Sequence, residues 1–305
     1  MTGALGGLTI AVVGAGDMGG SVAGALRRAG ADVVTAGAGR TAETRQRIAD
    51  RGLRDLGSVA ACAAAADIFL SIMPPARAEA LAAEAATAIR QSGRSPLYAD
   101  CNAVSPATVA KVAASFEGSG ARFVDVGIIG ANPDSGVATR FFASGSHAEA
   151  LKVIEVPGQI QVPLAGEKIG DASGLKMCYA ALTKGTATLR VAVLLTAREL
   201  GLYEALLGEF EFSQAGKLRD MRSDLPTLAA DSGRWVREME EIARTFDEAG
   251  VTGDFHRGAA FIHRTLAAST LGAETRATAD RTRSLEESLE AWAKTLPKRS
   301  GGDSE

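Results

Sequence analysis

Apolar positions along the chain follow one rhythm up to about residue 165 and another after it. In the first stretch, short β-branched runs alternate with longer alanine-rich ones. Residues 8–13, 33–35, 67–72, 97–100, 122–126 and 140–143 read as strands. Helical spacing lies between them, notably over 76–91 and 105–116, where Ser105 followed by Pro106 has the form of an N-cap and first helical residue. Strands alternating with helices predict a parallel sheet with crossover connections. From Ala172 into the 290s nearly every segment has helical spacing, with breaks expected near Gly201, Gly208, Pro226 and Gly250 to Gly253. The stretch 172–200 is apolar around most of its circumference, as in a helix buried within a domain or between subunits. The pattern predicts an α/β domain over 1–167, an all-α domain over 168–296 and a disordered tail over 297–305.

The first predicted strand runs straight into Gly14-Ala-Gly16-Asp17-Met18-Gly19, and a helix-like stretch follows. G-x-G-x-x-G between a strand and a helix is the dinucleotide-binding arrangement of a Rossmann domain. Gly14 allows the tight turn, Gly16 lets backbone approach a pyrophosphate, and Gly19 lets the helix pack closely. The helix start at Asp17 and Met18 offers N–H groups and the positive end of a dipole to the phosphates.

Composition narrows the field. A net charge of −3 gives no reason to expect nucleic acid as a partner. Cys62, Cys101 and Cys178 are odd in number and lack a C-x-x-C pair, which points to a reducing compartment and away from a zinc site or disulfide framework. No secretory leader is read at the start of the chain, and no apolar run reaches the ~18 residues of a membrane span. The expectation is a cytoplasmic protein.

Which dinucleotide fits is read from the end of the second strand. An NAD site ordinarily has an acid there, ~20 residues past the glycines. Here the sequence is Thr35-Ala-Gly-Ala-Gly-Arg40-Thr41, with no acid. Arg40 and Thr41 suit a 2′-phosphate, so NADPH is expected ahead of NAD; the plain alternative is a solvated arginine in a glycine loop. Met73 and Pro74 follow a later strand and are expected to pass over the cofactor. Asn102 ends the next strand, where it either hydrogen-bonds the nicotinamide ribose or amide or is an ordinary turn residue.

The glycine motif, the Ser71-to-Pro75 turn, the 100–106 segment and the all-helical second half together resemble the β-hydroxyacid dehydrogenase and 6-phosphogluconate dehydrogenase superfamily. The segment from Gly170 to Gly185 and the run Gly253-Asp-Phe-His256-Arg-Gly resemble a branch with a phosphogluconate dehydrogenase-like C-terminal domain. The resemblance implies that Lys176 is the catalytic acid/base and that the second domains pair in a homodimer. It implies substrate contacts at Gly130 and Asn132 and moves His256 towards the substrate pocket. Two positions depart from the superfamily pattern: Ile129 stands in place of a serine, and Ala180 in place of an asparagine. Tyr179 and Thr183, on the lysine's helical face, are candidates to replace part of the lost grip.

Lys176 also stands out by itself. It interrupts an apolar helix, where burial of an ammonium is costly without a partner or a task. Desolvation would suit it to proton exchange near neutral pH, whereas a stem reaching to solvent would leave it inert. Lys184, eight residues on, is turned ~80° away. His256 and His263 share a helical face, but two ligands without a further donor set define no metal centre, so no metal is expected.

The expected activity is an NADPH-dependent oxidoreductase passing hydride between the nicotinamide and a carbonyl or alcohol carbon, with Lys176 moving the proton. Alternatives are an imine reductase, kept open by Tyr179; oxidative decarboxylation of a sugar acid; and a non-catalytic NADP-binding sensor, suggested by Ile129 and Ala180.

Overall fold

The computed structural model describes residues 5–297. Two compact units divide after Cys178. Lys298 to Glu305, most of the tail predicted to be disordered, lie outside the described residues.

In the first unit a nine-stranded sheet has the order β3-β2-β1-β4-β5-β6-β7-β8, with β9 also paired to β7. The strands are β1 (Thr9–Val13), β2 (Asp32–Thr35), β3 (Arg54–Asp55), β4 (Ile68–Ser71), β5 (Leu97–Asp100), β6 (Arg122–Ile129), β7 (Thr139–Ser144), β8 (Ile160–Gln161) and β9 (Leu164–Gly166). Pairings through β6 are parallel, and β7 turns back antiparallel to β6. The crossovers include α1 (Asp17–Arg28), α2 (Ala42–Asp50), α3 (Val59–Ala65), α4 (Ala78–Ser92) and α5 (Pro106–Ala114). Each sheet face buries its own apolar layer. Ile10, Val12, Leu26 and Leu70 belong to one, and Val13, Phe69, Tyr98 and Phe116 to the other. Burial on both faces explains why the strands read as continuous apolar runs rather than alternating ones. The short β3, β8 and β9 carry too few residues to show a period.

Sequence order reverses between β1 and β4, the switch point at whose carboxyl ends ligands bind in such sheets. Gly14 follows β1 and Ile72 follows β4, and Ile72 N donates to Val13 O at 2.9 Å. The glycine turn and the Ser71-to-Pro74 turn are therefore neighbours.

Helix α6 (Asp171–Glu199) begins in the first unit and continues into the second. The division at Cys178 assigns its first two turns to the sheet, eleven residues beyond the boundary read from sequence. The second unit comprises the rest of α6 with α7 (Tyr203–Ser213), α8 (Ala215–Asp224), α9 (Ala229–Glu248), α10 (Asp254–Ala268) and α11 (Leu285–Ala293). Leu194, Leu218, Leu225, Leu266, Leu289 and Trp292 form its core. Breaks fall at Gly201, Pro226 and Gly250 as expected, but Gly208 lies inside α7. A single glycine costs a helix only about 1 kcal/mol, which packing of Tyr203 and Leu207 offsets.

Candidate active site

The glycine turn is built for close approach. Gly14 has φ +108°, and a Cβ there would lie 2.1 Å from Ile72 O. A Cβ on Gly19 would lie 2.1 Å from Gly14 O, so α1 and the turn touch through backbone. A Cβ on Gly16 would meet nothing within 4 Å: it would project into open space beside the start of α1, where Gly16 is the N-cap. Backbone contact at two glycines and clear space at the third fit a pyrophosphate lying on the first turn, at Asp17 and Met18. These residues fit a dinucleotide.

At the end of β2, Arg40 is half-buried and its Nε donates to Ala36 O at 3.4 Å. The Thr41 hydroxyl caps α2, accepting from Thr44 N at 3.2 Å and donating to Thr44 Oγ1. Sequence reasoning missed two neighbours. Arg45 donates to Arg40 O, bringing a second guanidinium to the start of α2. Asp55, at the end of β3, accepts from Gly37 N and Gly57 N, both at 2.8 Å. The acid sought at the end of β2 is thus supplied to the same loop by the adjacent strand. Short β3 gave no strand signal that could have drawn attention to it.

The Met73–Pro74 turn is held by Asn102. Its Oδ1 accepts from Met73 N at 2.6 Å, while its Nδ2 donates to Ser71 Oγ at 2.9 Å and Asp100 Oδ2 at 2.8 Å. Both amide hydrogens are used inside the protein. Asn102 is therefore a clamp that shapes the Met73–Pro74 turn. Asp100 beneath it is 1% exposed, and burial raises its carboxyl to about 7, opposed by donation from Asn102 N and reinforced by neighbouring Asp125. A carboxyl with a raised folded value binds its proton more tightly folded than unfolded. Its contribution to stability is therefore greatest below about pH 4 and is lost as pH rises towards about 7. Asp100→Asn removes that titration. Relative to the native chain, the variant is expected to gain up to about 4 kcal/mol between pH 4 and pH 8, from roughly three pKa units at about 1.4 kcal/mol each. Urea unfolding at the two pH values checks this; a difference independent of pH would disprove it.

Lys176 is half-buried on the second turn of α6. Against it lies Gly127 of β6, where a Cβ would come 2.9 Å from Lys176 Cβ and 2.6 Å from Ala172 O. The strand thus passes directly beneath the lysine's stem. Beyond β6, Gly130 is exposed with φ +108°, a conformation that favours glycine. Asn132 Nδ2 reaches Asp17 Oδ1 only at 3.4 Å. The loop is held more firmly by Asp134, which pairs with Arg51 at 2.9 Å and Arg28 at 3.4 Å and whose N–H donates to Ser21 Oγ. These contacts fasten the loop to α1, the helix of the glycine turn, and to the C-terminal end of α2. Ile129 and Ala180, the two departures, are buried, which explains why each is apolar.

In the second unit, Tyr179 is exposed, and the Thr183 hydroxyl donates back to Tyr179 O at 3.1 Å. His256 is buried, edge-on to Phe246, with Nδ1 lacking a hydrogen-bond partner, and burial lowers its pKa. His263 does not join it: Nδ1 lies 3.0 Å from Ser232 Oγ, and burial, with nearby Lys184, lowers it to about 4. Lys184 pairs with Glu238 and lies over the Trp235 ring. Among the described residues, no group of three or more His, Cys, Asp or Glu side chains could hold a metal ion. No described helix is long and apolar enough to cross a membrane.

Residues 9–158 match the family described as the NAD binding domain of 6-phosphogluconate dehydrogenase, and residues 197–266 match a domain of unknown function, DUF1932. An uncharacterised 28.5 kDa protein of Methanothermus fervidus is 32% identical over 151 residues, which cover 48% of this chain and 57% of that protein. The match thus spans little more than half of that relative. Among solved structures, the conserved protein MTH1747 of unknown function, described as structurally similar to 3-hydroxyacid dehydrogenases, is 27% identical over 85% of this chain and 97% of its own, with a TM-score of 0.61. A 3-hydroxyisobutyrate dehydrogenase of Mycobacterium tuberculosis shares the fold at a TM-score of 0.64 and 17% identity, over 93% of this chain and 98% of its own.

Proposed function

We propose that the chain, whose residues 9–158 match the family of the NAD binding domain of 6-phosphogluconate dehydrogenase, is an NAD(P)-dependent oxidoreductase of the hydroxyacid dehydrogenase type that uses NADPH to interconvert a carbonyl and an alcohol with Lys176 as general acid/base. The observation that carries this is the pairing, in one unit, of a fitted dinucleotide turn with a lysine whose stem lies against bare strand backbone at Gly127. The bound dinucleotide would supply or take the hydride. Gly14, Gly16 and Gly19 would admit its pyrophosphate, and the Asn102-braced turn at Met73 and Pro74 would cover it. In reduction, the Lys176 ammonium would give a proton to the carbonyl oxygen, and the neutral amine would be reprotonated from solvent. In oxidation it removes the hydroxyl proton. Gly130 and Asn132 would orient the substrate.

Anaerobic NADPH oxidation, measured with a panel of β-keto acids, aldehyde acids and cyclic imines, tests the reading. Turnover of the oxo acids supports it; turnover of imines alone would replace it with imine reduction, and tight binding without turnover of any would mark a sensor.

Arg40 supports NADPH, and Asp55 favours a second reading in which its carboxylate receives the ribose hydroxyls of NAD. Arg40→Ala is expected to raise KM for NADPH ~10-fold or more, with little change for NADH, as loss of a charge-assisted phosphate contact would do. Equal effects on both cofactors would favour the second reading.

Leu175, Tyr179, Leu182, Leu189 and Val193 are exposed along one side of α6 at spacings of three, four and seven. A continuous apolar stripe of this kind suits a second copy of the chain. We therefore read the protein as a homodimer through its helical unit, and light scattering should return a two-chain mass.

A further inference from the structure

Helix α6 starts without a cap of its own. Gly170 precedes Asp171 and has no side chain to offer, yet every first-turn N–H is satisfied. Asp171 N donates to Lys168 O at 3.2 Å, Ala172 N to Ser144 Oγ at 3.0 Å, and Ser173 N to Asp125 Oδ2 at 3.0 Å; Gly174 N makes the first intrahelical bond. Asp125 Oδ2 also accepts from Gly170 N at 2.9 Å and Ser144 Oγ at 3.1 Å, and Oδ1 accepts from Ser173 Oγ at 2.6 Å. The cap has been moved from the helix onto the sheet.

Asp125 is one of four fully buried polar side chains in a row across the strand ends. Ser71 is in register with Asp100, Asp100 with Asp125, and Asp125 with Ser144. One end of the row, through Asn102, braces the cofactor turn. The other end, through Asp125 and Ser144, holds the first turn of α6. Two residues further along β6, Gly127 brings backbone against the stem of Lys176. Strand side chains repeat every second residue, so Asp125 and Gly127 present the same face of β6 to the helix. The strand grips α6 at its first turn and supports it at its second.

We propose that Asp125 is the positioning residue for Lys176, holding the helix so that the amine emerges at a fixed place over β6, and is not itself a ligand of substrate. The inference rests on the catalytic role read for Lys176. Burial holds the Asp125 carboxyl above the usual carboxylate range, against the opposing effect of its donors from Ser173, Gly170 and Ser144. An asparagine can keep the grip, placing its carbonyl oxygen where Oδ2 accepts and turning its amide towards Ser173 Oγ. An alanine cannot, and leaves buried donors unmet.

The test compares the native full-length chain with Asp125→Ala, Asp125→Asn and Ser173→Ala. Trace acetylation by acetic anhydride is followed by peptide mass spectrometry, with partly exposed Lys152 as internal reference, alongside NADPH turnover of the oxo acid found in the panel. For Asp125→Ala the expected result is a change of about fivefold or more in Lys176 labelling relative to Lys152. Turnover should fall roughly 10²-fold, with KM for NADPH nearly unchanged, as displacement by about 1 Å would cause. Asp125→Asn should restore labelling and turnover to within about threefold of native. If Asp125→Ala does not fold, Ser173→Ala, which removes one donor and keeps the backbone contacts, should shift labelling in the same direction. Unchanged labelling in whichever variant folds, with only a lower melting temperature, overturns the proposal and leaves Asp125 a structural cap. Failure of the catalytic reading gives a different signature, in which Lys176→Met retains turnover while labelling of Lys176 still responds to Asp125.

Discussion

Lys176→Met is expected to lower turnover by roughly 10²–10⁴-fold while leaving NADPH affinity within about twofold, the range for loss of a positioned general acid/base. Methionine is the informative replacement. Its unbranched side chain keeps an apolar stem where the lysine lies over Gly127, so packing of α6 on β6 is retained and only the ammonium is lost. The proton that must reach the substrate oxygen then comes from water, and the loss should fall on kcat with little change in cofactor binding. Fluorescence of bound NADPH and single-turnover rates separate the two. Turnover within threefold of native would remove Lys176 from the mechanism, and with it the main argument for a carbonyl–alcohol substrate.

Gly14→Ala should have the second largest effect, on cofactor affinity. Two costs coincide there. The residue has φ +108°, which L side chains rarely adopt, and the added methyl would lie 2.1 Å from Ile72 O, a backbone atom that cannot rotate away. Either β1 and β4 part at the switch point or the glycine turn rebuilds, and both disturb the pyrophosphate seat. Overpacking of this kind costs typically about 1–3 kcal/mol in stability. The NADPH dissociation constant should rise on the order of 10²-fold, because the contacts at Gly16 and the start of α1 depend on the same turn. Gly16→Ala makes the contrast, since its methyl meets open space in the protein and would collide only with a bound phosphate. Calorimetric titration with NADPH should show both variants weakened, with a lowered melting temperature for Gly14→Ala alone. Native affinity in Gly14→Ala would show that the turn does not seat the dinucleotide.

The parts of this architecture legible in the sequence are those set by local rules. Gly14, Gly16 and Gly19 marked the tight turn between β1 and α1, and Ser105 with Pro106 marked the start of α5, where the Ser105 hydroxyl indeed accepts from Thr108 N. The parallel sheet was legible because strands buried on both faces are written as unbroken apolar runs. What escaped depends on partners remote in sequence. Asp125 caps a helix that begins 46 residues later, a role that exists only once β6 and α6 are packed together. Asn102 was recognised as a candidate, but its commitment to Met73 and Ser71 exists only once β4 and β5 are side by side. The position of the unit boundary escaped for the same reason: the opening turns of α6 read as helix, and only contacts from β6 and β7 attach them to the sheet.

The loop after β2 constrains how cofactor preference could be retuned. Asp55 already fills the space beside Gly37, where a methyl would fall 2.1 Å from Oδ2, so a side chain installed at Gly37 has to displace the Asp55 carboxylate from its place in the loop. Removing Asp55 first would strip the loop of the acceptor that secures Gly37 and Gly57. Neither single step is tolerated well, so a lineage or an engineer changing dinucleotide at that position must make both replacements together.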